Sequence, residues 1–456
     1  MALFLALCLL ALSYAFSCLC NLVLQRRDQW CYLLAYECYE APDDMKLNTD
    51  TCVKTIIKNK NLGLDEFRFL IKISANSGIG EETSSARNII QGRADCATEE
   101  DSPSDMDGIV FDTLDNLFAK DTTICPSKID ILVVNVSMFS PAPSLKSRIV
   151  DHYRMREDIK TFNISGMGCS ASLVAIDVVN NLFKTYKDSF VIVVSTESIG
   201  PNWYAGKDKS MMLPNCLFRS GGCSMLFTNR TSLRKQAILK MKYLIRTHMG
   251  SRNEAYGCCM RLEDESGYGG VRLTKHLKTR SSSSSHNEPP EILFYLVGSR
   301  IQKRNSTKSQ KAEAVGVALN MKAGIEHFCI HPGGRAIIDG IGKSFSLSEY
   351  DLEPSRMALH RFGNTSSPGL WYALAYMEAK KRLKKGDRIL MSGFGSGFKC
   401  NNVVWEVLRD LDDSHVWKGC IDSYPPEKLN NVMEKFGWIF DESLSFVRVD
   451  WSQLFA

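Results

Sequence analysis

Short apolar runs alternate with amphipathic stretches through the middle of the chain. Ile131–Asn135, Ile159–Ile164 and Phe190–Ser195 each have the length and composition of a buried strand. Between the last two lies Ser170–Phe183, whose apolar residues recur every three or four positions, as they do on one face of a helix. Arg388–Ser392 predicts a further strand near the C-terminus. Strands that alternate with helices indicate an α/β fold with largely parallel pairing.

Residues 2–24 contain no Asp, Glu, Lys or Arg. A helix of this length spans about 35 Å, enough to cross a bilayer core of about 30 Å. A cleaved signal peptide is the alternative, but it normally has a positively charged start, and none precedes this run. We therefore expect a transmembrane anchor at residues 1–25 and an ordered linker at 25–60. Arg26 and Arg27 place the rest of the chain in the cytosol by the positive-inside rule.

The composition is that of a globular protein with a large core. Of 456 residues, 44% are hydrophobic and 23% are charged, and the net charge of +5 is too small to indicate a nucleic-acid partner. The length allows one two-lobed domain, and we expect an N-terminal lobe at 26–235 and a C-terminal lobe at 236–456. The 16 cysteines include no CxxC pair, which favours buried thiols in a reducing compartment over a disulfide framework.

Five Asn-x-Ser/Thr sequons are present, beginning at Asn135, Asn163, Asn229, Asn305 and Asn364. Two of them, at Asn163 and Asn364, fall within the segments that carry the candidate chemistry. Because a glycan there would block the site, we expect a cytosolic location in which no sequon is glycosylated.

The strongest candidate for chemistry is the segment Asn163–Ala171, which reads Asn-Ile-Ser-Gly-Met-Gly-Cys-Ser-Ala. A short strand runs into two glycines, which permit a tight turn, and a helix begins at Cys169. The N–H groups and dipole of a helix N-terminus favour a thiolate and lower the thiol pKa from about 8.5. We predict that Cys169 is a nucleophile; the simpler alternative is a buried cysteine that caps the helix.

A histidine and an asparagine complete a possible catalytic set. His331 precedes Pro-Gly-Gly and therefore lies at a strand end or sharp turn, where side chains point into clefts. Asn364 lies in Gly-Asn-Thr-Ser-Ser-Pro, and its amide is a good donor to a developing oxyanion, although such an Asn is more often a turn or cap residue.

Two other interpretations of these residues are possible. One is a zinc site at His327, Cys329 and His331, but no second Cys/His pair has matching spacing. The other is a papain-like protease, which has the same Cys, His, Asn order. The cysteine of those proteases stands near a mature N-terminus and precedes an aromatic residue, whereas here 168 residues come first and Ser170 follows.

The motifs resemble those of one family, the plant 3-ketoacyl-CoA synthases, which are the condensing enzymes of microsomal very-long-chain fatty acid elongation. The resemblance runs from about Cys31 to Glu406. Its active-site motifs are Gly-Met-Gly-Cys-Ser-Ala, His-Pro-Gly-Gly and Gly-Asn-Thr-Ser-Ser, and supporting motifs are Ser77–Thr83, Pro141–Leu145, Asn202–Tyr204, Leu213–Arg219 and Gly393–Asn401. The spacing between His331 and Asn364 also fits the related chalcone synthases.

The resemblance implies a duplicated five-layer αβαβα thiolase-like fold and a decarboxylative Claisen condensation of a long-chain acyl-CoA with malonyl-CoA. Cys169 matches the acylated nucleophile, and His331 and Asn364 match the pair that holds the malonyl thioester carbonyl. His248, His327 and His360 match further family histidines of auxiliary or structural role. Gly393, Gly395 and Gly397 match a turn expected to let backbone approach the bound acyl thioester.

The resemblance also implies the surroundings of the enzyme. We expect no cofactor and no metal, a location in the endoplasmic reticulum membrane with the catalytic domain facing the cytosol, and no nucleic-acid partner. We further expect a homodimer that works with the reductase and dehydratase of an elongase complex.

The chain departs from the family pattern in places. It has one hydrophobic segment where the family usually has two, Cys223 and Ser224 replace small apolar residues, and Met249 replaces an expected Lys. Two alternative functions therefore stay open. One is a chalcone-synthase-like polyketide synthase, against which the N-terminal apolar segment argues. The other is a weakly active scaffold of an elongase complex, against which the intact Cys, His, Asn set argues.

Overall fold

The computed structural model describes residue 14 and residues 30–93, 98, 100–120, 124–138, 140–197, 199–274, 321–427 and 432–446. The predicted anchor at residues 1–25 lies outside this part of the chain, apart from residue 14. Across the described residues, no helix has both the length and the apolar composition needed to cross a membrane. The twelve cysteines described are free thiols, and eight of them are buried.

Eleven strands and twelve helices are formed by the described residues. The strands are β1 Tyr32–Cys38, β2 Ile131–Asn135, β3 Lys160–Ile164, β4 Phe190–Thr196, β5 Gly222–Thr228, β6 Leu239–His248, β7 Cys259–Glu263, β8 Gly269–Leu273, β9 His327–Ile330, β10 Arg388–Gly395 and β11 Lys399–Val407. The helices are α1 Thr49–Ile57, α2 Leu64–Ser77, α3 Arg87–Ile90, α4 Asp101–Lys120, α5 Leu145–His152, α6 Ala171–Thr185, α7 Lys209–Leu217, α8 Asn253–Tyr256, α9 Arg335–Phe345, α10 Glu349–Phe362, α11 Gly369–Ala379 and α12 Val432–Phe436.

Nine strands form one mixed sheet in the order β3-β2-β4-β5-β1-β6-β11-β10-β9, and β7 and β8 form a separate hairpin. The four strands and the helix predicted from periodicity are all present. The prediction of largely parallel pairing is wrong, because only the pairs β2–β3, β2–β4 and β9–β10 are parallel. The other five pairs in this sheet are antiparallel.

Alternate strand residues face opposite sides of the sheet and so divide the core. Val133 and Met391 pack with α6 and α11 in a central apolar cluster. On the opposite sides, Leu132 packs with α4 and α5, and Leu390 packs with α9 and α10. A central pair of helices is thus enclosed by two halves of the sheet, each of which is covered by an outer pair.

The segment predicted as a linker is part of the fold. β1 lies inside the nine-stranded sheet, where it pairs with β5 and β6, and α1 packs in an apolar cluster with α2, α7 and α12. Residues 32–57 therefore belong to the core, and the prediction of a linker is wrong for them. The division between lobes at 235 and 236, just before β6, stays a prediction.

Candidate active site

Cys169 lies on a glycine turn between β3 and α6. Gly166 and Gly168 have φ angles of 68° and 63°, which L-residues rarely adopt, so only glycine fits the turn without strain. A 3-10 turn at Gly168–Ser170 leads into α6 at Ala171 and leaves Cys169 half-buried. The predicted order of strand, glycine turn, cysteine and helix is therefore observed.

A second glycine turn packs against the backbone of the first. A Cβ atom added to Gly395 would lie 2.3 Å from the Met167 carbonyl oxygen, and one added to Gly168 would lie 2.7 Å from the Ser396 nitrogen. Gly393 lies against Leu173 and the backbone of Ser170. These glycines let the backbone of the second turn approach the Cys169 turn closely. An approach of this backbone to a bound acyl thioester stays a prediction.

His331 and Asn364 meet at the Pro332–Gly333 turn. His331 follows β9, its backbone N–H donates to the Ser392 carbonyl at 2.9 Å, and its ring contacts Gly333. The Asn364 side-chain amide donates to the Gly333 carbonyl at 3.4 Å. His331 is 2% exposed and Asn364 is 3% exposed, so both side chains are withdrawn from bulk water.

The backbone of Asn364 is anchored on both sides by the chain that follows α7. Its N–H donates to the Leu217 carbonyl at 3.0 Å, and its carbonyl accepts from the Arg219 N–H at 2.9 Å. The Asn364 side-chain oxygen accepts from the Ser366 N–H at 2.9 Å. This bond leaves the NH₂ group of the amide as the donor end that faces the site.

The Cys169 sulfur lies within hydrogen-bonding reach of the Ser366 and Asn364 side chains. Burial is the largest influence on this thiol and raises its pKa to about 12. The charge of Glu197 raises the pKa further, while Ser366 and Asn364 lower it. The expectation of a lowered pKa at Cys169 is therefore wrong, because desolvation of the thiolate outweighs the helix N-terminus.

His331 is neutral in the same environment. Burial lowers the pKa of its imidazole to about 3. Its Nδ1 is buried and has no hydrogen-bond partner among the described residues. The neutral imidazole can accept a proton from a thiol, as acyl transfer requires. The Asn364 amide can donate to an oxygen, as stabilisation of an enolate requires.

The three other histidines occupy different places. His248 is exposed at the end of β6, where its Nδ1 accepts from the Gly250 N–H at 3.0 Å, close to the Gly397 carbonyl. Burial, followed by Lys399, lowers its pKa. His360 packs its ring against Gly80 and lies edge-on to Tyr424, and burial lowers its pKa.

His327 begins β9 and pairs through Nε2 with the Asp387 carboxylate at 3.0 Å. Cys329 is buried in the central apolar cluster. His327, Cys329 and His331 therefore have separate surroundings, and the zinc interpretation has no geometric support among them. His327 pairs with Asp387, and His360 packs against Gly80. Of these three histidines, only His248 lies beside the Gly393–Gly397 turn.

Several residues of the site were not singled out from the sequence. Ser137, Glu197 and Ser366 line it, and Cys259 is close enough to interact electrostatically with Cys169. Glu197 follows the predicted strand Phe190–Ser195, and Ser137 follows Ile131–Asn135. Because parallel strands end at the same edge of a sheet, this position was a usable signal.

Comparison with known proteins gives a consistent relationship. Residues 23–287 match the family model described as FAE1/Type III polyketide synthase-like protein, and residues 320–407 match that of the 3-oxoacyl-(acyl-carrier-protein) synthase III C-terminal region. The chain is 53% identical to 3-ketoacyl-CoA synthase 19 of Arabidopsis thaliana over 442 residues, which cover 94% of this chain and 95% of the relative. It is 48% identical to 3-ketoacyl-CoA synthase 12 of the same plant over 95% of this chain and 96% of the relative.

The fold has a solved counterpart. A fungal type III polyketide synthase, ORAS, superposes with a TM-score of 0.66 at 15% sequence identity, covering 83% of this chain and 99% of that structure. At this identity the likeness identifies the fold alone, which is the α/β fold shared by thiolases and chalcone synthases.

Proposed function

The chain belongs to the 3-ketoacyl-CoA synthases, the condensing enzymes of very-long-chain fatty acid elongation, and we propose that Cys169, His331 and Asn364 carry out its condensation. The observation that carries this assignment is the position of Asn364. Its side chain reaches both the Cys169 sulfur and the Gly333 carbonyl beside the His331 ring, so one amide connects the nucleophile with the histidine.

Acyl transfer is the first half-reaction. The Cys169 sulfur attacks the thioester carbon of a long-chain acyl-CoA, and a new C–S bond forms as the bond to CoA breaks. Because the thiol is protonated, its proton must leave during the attack, and the neutral His331 imidazole is the acceptor. His331 then passes this proton to the departing CoA thiolate and is neutral again.

Decarboxylation and condensation follow. Malonyl-CoA loses CO₂, and the electron pair of the broken bond forms an enolate whose oxygen accepts from the Asn364 amide and a His331 N–H. Removal of one such donor commonly costs about 10² to 10³ in rate. The carbanion then attacks the acyl carbon on Cys169, the C–S bond breaks, and a 3-ketoacyl-CoA two carbons longer is released. The Cys169 thiolate takes up a proton from solvent, which restores the thiol.

A direct test is to incubate membranes that carry the full chain with labelled malonyl-CoA and a panel of acyl-CoAs. We expect 3-ketoacyl-CoA products extended by one two-carbon unit. Repeated extension with ring closure would instead indicate a chalcone-synthase-like enzyme. No product with any acyl-CoA, from a chain that is folded, would indicate a scaffold.

Membrane attachment and location are part of the proposal. An anchor at residues 1–25 in the endoplasmic reticulum membrane, with the rest of the chain in the cytosol, accounts for the uncharged stretch and for Arg26 and Arg27. Asn135, Asn229 and Asn364 are buried, so a glycan on any of them would be incompatible with the fold. Asn163, which is exposed, and Asn305 are therefore the informative sequons, and a gel shift on deglycosylation would contradict the cytosolic location.

Assembly is likewise proposed. β3 is an edge strand with half-exposed side chains, which supports a homodimer joined by strand pairing. The product of the reaction carries a ketone, so the next enzymes must reduce and dehydrate it, and we propose that they belong to the same elongase complex. The packing of helices on both sides of the two sheet halves supports the duplicated five-layer thiolase arrangement.

A further inference from the structure

Glu197 is a buried acid that lies between the two loops of the active site. It directly follows β4 and is 3% exposed. Its carboxylate accepts from the Met138 N–H at 2.9 Å and from the Ser137 N–H at 3.2 Å. Two backbone donors thus fix the loop after β2 to the end of β4.

The loop that Glu197 holds is also the support of the nucleophile turn. The Ser137 hydroxyl accepts from the Gly168 N–H at 2.8 Å, and the Ser137 carbonyl accepts from the Gly166 N–H at 3.3 Å. Both glycines have positive φ, so the turn depends on these bonds for its shape. The position of Cys169 is therefore coupled to Glu197 through one serine.

The same carboxylate reaches the opposite loop. The Ser366 hydroxyl donates to Glu197 Oε2 at 3.4 Å, while the Ser366 N–H holds the Asn364 side-chain oxygen at 2.9 Å. Ser366 has a φ of 63°, an unfavourable conformation for a residue with a side chain, and contacts on both sides maintain it. Glu197 therefore connects the Cys169 turn with the loop that presents the Asn364 amide.

We propose that Glu197 is a positioning residue of the condensation, because its carboxylate holds the Cys169 turn and the Asn364 loop in one arrangement. The inference rests on the proposed function for the purpose of the arrangement, but its geometry is independent of it. The Glu197 charge also raises the pKa of the Cys169 thiol, although burial is the larger cause. A thiol reacts slowly with alkylating agents, since the thiolate is the nucleophile.

The test uses two readouts on the full-length chain in membranes. The first is the rate at which iodoacetamide alkylates Cys169 between pH 6 and 10, followed by mass spectrometry of the peptide so that Cys259 is counted separately. The second is elongation of an acyl-CoA with labelled malonyl-CoA. Glu197→Gln keeps the size and one acceptor oxygen but removes the charge. Glu263→Gln is the matched control, because it makes the same charge change at an exposed position.

We expect Glu197→Gln to alkylate Cys169 severalfold faster at pH 8, because a charge that raises the pKa of the thiol is gone. We expect it to elongate at least about tenfold more slowly, because the two loops lose their common support. Glu263→Gln should match the unchanged chain in both. Wild-type alkylation in Glu197→Gln would overturn the charge role, and wild-type elongation would overturn the positioning role. If the unchanged chain does not elongate at all, the proposed function fails while the alkylation profile still decides the inference.

A second variant guards against loss of folding in Glu197→Gln. Glu197→Asp retains the charge but shortens the reach to Ser137 and Ser366. It should alkylate within about twofold of the unchanged rate and elongate at least tenfold more slowly. Normal elongation by Glu197→Asp, or alkylation as fast as that of an exposed cysteine, would contradict the proposal.

Discussion

Two buried histidines of this protein show how differently the same side chain can be used. His331 in the active site is 2% exposed, and its Nδ1 has no partner among the described residues. The His415 side chain is also 2% exposed, but its Nε2 lies 3.0 Å from Glu378 and its Nδ1 lies 3.8 Å from Glu37. Burial lowers the pKa of His331 to about 3. Burial acts in the same direction on His415, but the hydrogen bonds to Glu37 and Glu378 outweigh it and raise its pKa to about 9.

The difference in pKa separates His331, which we propose to react, from His415, which is structural. His415 is a cation enclosed by carboxylates, and it joins β1, α11 and the chain after β11. The side chains of Glu37, Asp413 and His415 are close enough together to hold a metal ion. However, the Lys120 ammonium pairs with the Glu37 and Asp413 carboxylates and supplies the positive charge there. Within the described part of the chain, His331 has no carboxylate partner, and its Nδ1 remains available to a substrate. Desolvation without pairing is thus the feature that distinguishes the active site.

The largest effect expected from this comparison is at Cys169. Cys169→Ala removes the atom that carries the acyl group, so elongation should fall below detection, by more than about 10³. The measurement is incorporation of labelled malonyl-CoA into 3-ketoacyl-CoA. Cys258→Ala and Cys329→Ser are the controls, since both thiols are buried and neither belongs to the turn before α6, and each should retain most of the activity. Elongation by Cys169→Ala would remove the nucleophile assignment.

Asn364 should separate the two half-reactions. Its amide cannot take a proton from a thiol, so Asn364→Ala should still become labelled by radioactive acyl-CoA. It should release CO₂ from malonyl-CoA about 10² to 10³ times more slowly, because the enolate loses one donor. His331→Ala should be slower in both steps.

Cys169→Gln is the converse variant, since its amide can mimic the acyl carbonyl while condensation is impossible. It should retain decarboxylation. If a folded Asn364→Ala lost acylation as completely as Cys169→Ala, the proposed division between His331 and Asn364 would be wrong.

The sequence predicted the turns that carry the candidate site residues better than it predicted the pKa of Cys169. Cys169, His331 and Asn364 each stand beside glycines that force a turn, and such turns are visible in sequence. The direction of the Cys169 pKa was not predictable, because burial and Glu197 come from chain segments distant in sequence. β1 was missed for a related reason: its partners β5 and β6 lie about 190 to 210 positions away in the sequence.

His415 should control a pH-dependent part of the stability. Because its folded-state pKa is raised, the folded chain binds the proton more tightly than the unfolded chain does. The resulting stability is fully present below pH 6.5 and is lost as the pH rises through about 9. A shift of this size corresponds to about 3 kcal/mol.

We expect His415→Gln to lower the free energy of unfolding by about 3 kcal/mol at pH 6 and by clearly less at pH 10. Denaturant unfolding of the full chain in detergent, followed by tryptophan fluorescence, measures this. His331→Gln is the matched control, and it should not show that loss of effect at high pH, since the pKa of His331 is shifted in the opposite direction. An effect of His415→Gln that is equal at pH 6 and pH 10 would contradict a charged His415.

The smallest effect is expected at His327, whose surroundings are intermediate between those of His331 and His415. Its side chain has one hydrogen bond, to Asp387 at 3.0 Å, and such a bond contributes about 1 kcal/mol. His327 is only four residues from His331, but a strand advances about 3.3 Å per residue, so their backbones are about 13 Å apart. His327→Gln should therefore elongate at the unchanged rate and unfold at nearly the same denaturant concentration. A severe loss of elongation, restored by added zinc, would revive the metal interpretation of His327, Cys329 and His331.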